Sequence, residues 1–458
     1  MAEIRAVEVR IWDKSVGAIA PLAGRPGVYE FEYDPAFVRL GIELSPLNLP
    51  SKTGVRYSFP TLNPDTFRGL PGVIADALPD KFGNALIDEY MARKGTKAVD
   101  ITTLQRLLYA GHRSMGALEF EPALTDINEE QVAEPLEMAS LVEDARRAMH
   151  GNLDVITKDI IDVGSSAGGA RAKALIGWNP KTNDVVSGQF SLPDGFEHWL
   201  LKFDVDSDGT LGFTSGFGRI EYAHYEMATA AGIEMSQCRL LEENGRAHFM
   251  TKRFDRSENR KVHLHSLCGL AHLDFNTPYV HGYEQYLRAT LQMGLGAPAI
   301  EQAWLRCAFN VAAVNCDDHT KNLAFLMDES GQWRLAPAFD MCFAHNPRPD
   351  KWTHKHQMLV RGKAWDMTGQ DMIELGAEFG VNQPRILLEE ITDVIRRWPE
   401  FARNAGVPAT TVSQIASLQP SLKVAARLVR DTTKSDATIR PQKRRSVPTR
   451  QTGKKRKA

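Results

Sequence analysis

One octapeptide, Asn315-Cys316-Asp317-Asp318-His319-Thr320-Lys321-Asn322, concentrates side chains that could do chemistry. It follows a mostly apolar segment and sets an Asp five residues before an Asn; a further acid arrives in Pro337-Ala338-Phe339-Asp340. A carboxylate able to take a proton, then an amide oxygen and a second carboxylate able to hold a divalent cation, is the spacing of a phosphoryl-transfer loop. Such a transfer asks for charge neutralisation and in-line positioning, which carboxylates with Mg²⁺ supply. In this reading Asp317 is the base, and Asn322 and Asp340 hold Mg²⁺ on the phosphates of ATP. Asp318 competes for the role of base. The spacing to Asn322 favours Asp317 and leaves Asp318 as a flanking or orienting carboxylate. His319 would contact phosphates or stabilise the loop, and Lys321 would neutralise charge on the transferred group. Alone, an Asp-x4-Asn match is an ordinary solvated turn with an Asx cap; Asp340 and the parts upstream argue for more.

Those parts must present cations and backbone amides to the same place. Val163-Gly164-Ser165-Ser166-Ala167-Gly168-Gly169-Ala170 is a glycine-rich turn leading into a strand over Lys173–Trp178. Glycines let backbone N–H groups approach phosphate oxygens. The turn is neither a Walker A motif nor GxGxxG, and a plain hairpin is the alternative. A phosphate on Ser165 or Ser166 would add about −2 in charge. It could not share space with ATP phosphates and would act as an autoinhibitory switch. His198–Phe203 reads as a buried strand carrying Lys202, a cation that needs a partner there. Glu221, on a helix read from Glu221 to Gly232, is the best partner by position, unless it faces solvent. Ala247–Phe254 reads as another strand. Strand, glycine-rich loop, strand with Lys, helix with Glu, strand is the order of parts in the small lobe of a protein kinase. After about residue 265 the chain reads as mainly helical, with Ala303–Ala313 leading into the octapeptide.

The whole chain bounds these readings. At 458 residues it is too long for one simple core. Residues 1 to about 60 read as strands, with Val7, Val9 and Ile11 alternating, and so do Tyr29, Phe31 and Tyr33. Residues 70–95 turn helical, with Gly95 as the cap. The predicted fold class is α+β: a small N-terminal α/β module over 1–125, then a two-lobed protein-kinase-like fold. Its N-lobe-like region spans 126–265 and its mainly helical C-lobe 266–430. No apolar run of about 18 residues predicts a membrane span, and the N-terminus lacks the layout of a signal peptide. The five cysteines form no CxxC pair, which fits a reducing, cytoplasmic setting. The net charge of −2 hides an asymmetry: residues 434–458 hold ten Lys/Arg and one Asp, leaving −11 on the rest. Too few apolar residues lie in 431–458 to order it. This basic tail suggests attraction to nucleic acid or an acidic partner, or else a solubilising extension.

Two other clusters fail on inspection. Asp204-Val205-Asp206-Ser207-Asp208-Gly209 opens like a calcium loop, but its twelfth position is Ser215 rather than Glu. His263, His265, Cys268 and His272 suggest metal ligands, yet strand alternation explains the first two as well.

Taken together the motifs resemble the HipA-type serine/threonine kinases, the toxin half of bacterial toxin–antitoxin modules, over nearly everything up to about residue 425. Gly69-Leu70-Pro71-Gly72-Val73-Ile74-Ala75-Asp76-Ala77-Leu78-Pro79-Asp80 and Met115-Gly116-Ala117-Leu118-Glu119 resemble signatures of its N-terminal module. The resemblance implies a phosphate loop through Gly168, Gly169, Ala170, Arg171, Ala172 and Lys173, with Ser166 as the autophosphorylated residue. It implies that Lys202 contacts ATP and that Lys252, Arg253 and Phe254 form the hinge that holds adenine. His319, Lys321, Asn322, Phe339 and Asp340 complete the nucleotide site. It further implies ATP and Mg²⁺ as cofactors, a HipB-like helix-turn-helix antitoxin that binds operator DNA, and an aminoacyl-tRNA synthetase as the class of substrate. Ala172 departs from the Pro or Glu of many members, and the basic tail has no counterpart. A catalytically silent co-repressor acting with the antitoxin, and a small-molecule kinase, are the competing functions.

Overall fold

The computed structural model describes residues 4–79, 81–123, 135–149, 157–163, 171–189, 191–205 and 216–419. All of these lie in one compact unit, Met1–Val424. The basic tail and the stretch Gly164–Ala170, with Ser165 and Ser166, lie outside the described residues.

The first sheet is antiparallel, in the order Arg56–Ser58, Tyr29–Tyr33, Lys14–Pro21, Val7–Ile11, Leu118–Glu121. Burial alternates along Val7–Ile11 and Tyr29–Tyr33 as the residue types do, so one face is core and the other wet. Helices Lys81–Arg93 and Thr103–Ala110 follow. Thr102 and Gln105 close a reciprocal capping box on the second. The core of this module also takes in Cys268 and Met327 from the far end of the chain, so it is welded to the rest rather than tethered.

The second sheet runs Val185–Ser187, Lys173–Trp178, Glu197–Lys202, Arg246–Lys252, Cys238–Glu243, all antiparallel. The helix Phe217–Ala230 lies across it. A Cβ at Gly218 would stand 1.8 Å from the Ala247 carbonyl oxygen, so only glycine permits this approach. The helix starts because Asp204 Oδ1 accepts the N–H groups of Gly216 and Phe217, both at 3.1 Å. That is the work of the first acid in the calcium-like stretch; Asp206 to Ser215 lie outside the described residues.

The remaining lobe packs helices Tyr283–Gln292, Gly296–Ala313, Gly369–Glu378, Pro384–Arg396 and Trp398–Asn404 around Trp304, Phe309, Tyr283, Tyr286 and Trp398. Gly296–Ala313 is buried on nearly every side from Ala303 on, which suits its mostly apolar sequence. The expectation of a mainly helical region omits one element. His263–Ser266, Ala324–Met327 and Trp333–Leu335 form a three-stranded antiparallel sheet. These strands are too short for a periodicity signal, and they fix the C-terminal end of the loop bearing Asp317, whose other end leaves the helix Gly296–Ala313. Among the described residues no helix is long and apolar enough to cross a membrane.

Candidate active site

Between the second sheet and the helical lobe lies a cleft of about 930 Å³, mouth included. Its roof is Lys173, Leu200, Lys202 and Thr251, its floor Lys321, Asn322, Ala324, Phe339 and Asp340. The N-terminal module contributes Asp76 and Met115 to the wall.

Strand register sets the roof. Lys173 and Lys202 are directly opposed across the antiparallel pair, so both side chains leave the same face. Both residues are buried. Two like charges so placed need anions, and the structure supplies them. Lys202 Nζ donates to Glu221 Oε1 at 2.5 Å and also to Asp340 Oδ1. Glu221 Oε2 in turn accepts from Arg171 Nη1 at 2.9 Å. Burial presses the Lys202 ammonium toward neutrality, but Asp340 and Glu221 outweigh it and hold its pKa above the usual lysine value. Burial likewise works to raise the Asp340 carboxyl, and Lys202 and then Lys173 hold it below the ordinary range.

Beside the floor, outside the cleft's own lining, stand two adjacent carboxylates in opposite circumstances. Asp318 is buried and accepts from Tyr283 Oη at 3.0 Å, His356 Nδ1 at 3.0 Å, the Gln357 N–H at 2.8 Å and the Met358 N–H at 3.5 Å. It has no room for a substrate proton. Asp317 keeps a side chain 38% exposed and has one close donor, Gln357 Nε2, at 2.8 Å from Oδ1. Lost hydration raises its carboxyl pKa; nearby His319 opposes the rise, and Asp340 and Asp318 add to it. Asn322 Nδ2 donates to the Asp317 carbonyl at 2.9 Å. No hydrogen bond among the described residues engages the Asn322 Oδ1, which suits it to a cation. Asp340 sits in the left-handed region at φ +54°, a costly conformation for a non-glycine. Asn315 Nδ2 holds its carbonyl at 3.0 Å.

Other predicted site residues are placed less simply. Phe254 and Phe339 face each other with ring centroids 5.6 Å apart, and with Met115, Leu200, Leu264 and Ala324 they make an apolar slot. Lys252 Nζ reaches Glu197 at 2.7 Å. The Arg253 guanidinium is bound to Asp255 by two hydrogen bonds, at 2.9 and 2.8 Å, and is almost fully buried. That pair holds its Nε and Nη2, while Nη1 is buried without a hydrogen-bond partner among the described residues, in a residue that lines the cleft. Ala172 is buried, with its carbonyl accepting the Phe203 N–H at 3.1 Å. His319 stands beside the cleft rather than in its lining, its ring 5.4 Å from Phe275 and its Nε2 3.9 Å from Asp317. Lys321 Nζ lies 5.0 Å over the same Phe275 ring. The His263 group serves packing and anchoring. His263 and His265 both rest against Trp333, His265 bridges Ser45 and Asp76, and Cys268 enters the N-terminal core.

Three residues of this site escape a sequence reading of it. Asp76 and Met115 fall inside recognisable stretches but come from another module. Gln357 carries no local signal at all.

Against this geometry, known proteins give a consistent answer. The HipA N-terminal domain family matches residues 7–121, and the HipA-like C-terminal domain family matches 165–417. The chain belongs to the HipA family. No curated protein sequence matches it. Among solved structures it is similar to HipA in the Shewanella oneidensis MR-1 complex of HipA, HipB and operator DNA. The TM-score is 0.63 at 16% identity, covering 90% of this chain and 95% of that one. The proinflammatory kinase CtkA of Helicobacter pylori matches more faintly, at TM-score 0.30 and 13% identity, over 48% of this chain and 92% of that one. The fold is that of HipA: a five-stranded sheet lobe and a helical lobe joined to a small N-terminal α/β module.

Proposed function

We propose that this HipA-family chain is an ATP- and Mg²⁺-dependent serine/threonine protein kinase, the toxin of a type II toxin–antitoxin module. The observation that carries the reading is the contrast between Asp317 and Asp318. One carboxylate is saturated and buried, and its neighbour is open, beside an uncommitted amide oxygen and across from two lysines. The donor set suits Mg²⁺-ATP, with Asn322 Oδ1 and the Asp340 carboxylate as ligands of the ion, Lys173 and Lys202 facing phosphate oxygens, and the Phe254–Phe339 slot taking the adenine. Bound Mg²⁺ would neutralise charge on the phosphates. Asp317 accepts the proton of a seryl or threonyl hydroxyl as that oxygen bonds to the γ-phosphorus and the bond to ADP breaks. A translation component such as an aminoacyl-tRNA synthetase is the proposed protein substrate. Growth arrest follows from its modification, and inhibitory autophosphorylation at Ser166, or Ser165 beside it, turns the kinase off. The HipB and operator DNA that accompany the Shewanella protein support a HipB-like antitoxin and its operator as partners. The test is peptide mass spectrometry of dephosphorylated protein after incubation with ATP and Mg²⁺. Phosphate on Ser166 that is absent from Asp317→Ala is the expected result; ATP binding with no phosphate on any site refutes self-phosphorylation.

A further inference from the structure

The segment His356-Gln357-Met358 lies some forty residues beyond the acid pair, yet it is fastened to it. Asp318 accepts the His356 imidazole and the backbone N–H groups of Gln357 and Met358. The Gln357 carbonyl accepts the Tyr279 N–H at 2.9 Å. Leu359 continues the attachment, donating its N–H to the His281 carbonyl at 2.8 Å and accepting from Tyr283 at 2.9 Å. With its backbone so tied, Gln357 has little choice of where to send its side chain. The amide donates to Asp317 Oδ1 at 2.8 Å. Its own oxygen, Oε1, is buried and has no hydrogen-bond partner, in a residue only 3% exposed.

A buried polar atom without a partner is rare in a native fold, because desolvating it is unfavourable. An apolar side chain of the same size would suit this position better for stability alone. The amide is therefore explained by what its N–H group does. We infer that Gln357 is the positioning residue of the phosphoryl transfer: it occupies Oδ1 of Asp317, fixes the carboxylate rotamer, and leaves Oδ2 as the oxygen facing the substrate hydroxyl. The inference rests on the kinase reading above. Gln357 does not line the cleft, so its effect falls on the rate and not on nucleotide binding.

The experiment uses the full chain, radiolabelled ATP and Mg²⁺. It reads the first-order rate of phosphate incorporation, the affinity for a fluorescent ATP analogue and the Tm. The variants are Gln357→Leu, Gln357→Met, Asp317→Ala and the double variant Gln357→Leu/Asp317→Ala. Gln357→Leu and Gln357→Met are expected to label about ten- to a hundredfold more slowly, with analogue affinity within about twofold and Tm unchanged or higher. The double variant is expected to be no slower than Asp317→Ala, since Gln357 acts through that residue. Wild-type labelling rates in both Gln357 variants overturn the inference while the kinase reading stands. So does a rate loss matched by a fall in Tm and affinity, which marks Gln357 as structural. A wild-type chain that incorporates no phosphate defeats the kinase reading and this inference with it.

Discussion

The roof and the floor of the cleft hold their charged groups by different means. On the roof, register does it: Lys173 and Lys202 face each other across two strands, and Lys202 has two counter-ions, Glu221 and the floor's Asp340. Glu221 has Arg171 and Lys202, and Asp340 feels both lysines. On the floor, fixed donors do it, and they are shared unequally. Asp318 has four and Asp317 has one. The roof spreads its charge over a network; beside the floor one carboxylate is saturated and its neighbour left open.

Breaking the floor should give the largest effects, and of two kinds. Asp317→Ala is expected to reduce phosphoryl transfer by about a thousandfold with little change in Tm, read by phosphate incorporation and calorimetry. Asp318→Ala strips partners from Tyr283, His356 and two backbone amides at once. It is expected to cost about 3–5 kcal/mol of folding stability, measured by urea unfolding. A well-folded Asp318→Ala protein with lost activity would reverse the two roles.

The roof should yield more gently. Lys202→Met removes the cation nearest Asp340, but Glu221 keeps Arg171. ATP binding is expected to weaken by about ten- to a hundredfold, with the chain still folded, as titration calorimetry would show. Unfolding of that variant would mean that Lys202 is the sole support of Glu221 and Asp340.

Acid should loosen both lobes, since each buries histidines. His198 and His248 are buried in the second sheet, while His224 packs on Trp398 and His263 on Trp333; burial brings the first three imidazole pKa values down to about 4 and that of His263 to about 3, from 6.5. Between those values the unfolded chain binds protons that the folded chain refuses, so stability falls as pH drops through 6.5 toward 4. Hydrogen–deuterium exchange from about pH 7 to about pH 4.5 is expected to show protection lost in Glu197–Lys202, Arg246–Lys252 and Gly296–Ala313 over the same range. Loss confined to one lobe would mean that the buried histidines of the other stay neutral when it unfolds.

What could be read in the sequence follows the same division. Lys202 in its strand and Glu221 on its helix were legible because burial of a lone cation demands a partner and the parts came in order. The Asp317-to-Asn322 spacing was legible because both residues lie in one loop. The strands Val7–Ile11 and Tyr29–Tyr33 showed through alternation. Asp76, Met115 and Gln357 were not assigned to the site, because contacts made across hundreds of residues or through a distant turn leave no local pattern. Arg171 and Arg253 read as ligand-facing, since a sequence gives a guanidinium near a site but not the carboxylate that captures it.

Arg171 also offers the finest test of the roof. Its guanidinium donates to Glu221, lies 5.0 Å from the Phe217 ring and is about one-sixth exposed, while its Nη2 is buried without a partner. Arg171→Leu therefore removes one ion pair and one unsatisfied donor together. Glu221 keeps Lys202 at 2.5 Å, so no buried carboxylate is left alone. The two losses oppose each other, and the net change in stability should be below about 1 kcal/mol. ATP affinity should move less than about threefold if the phosphates face Lys173 and Lys202. An effect as large as that of Lys202→Met would mean that Arg171 leaves Glu221 to meet the nucleotide, and that the roof's second counter-ion is a ligand in waiting.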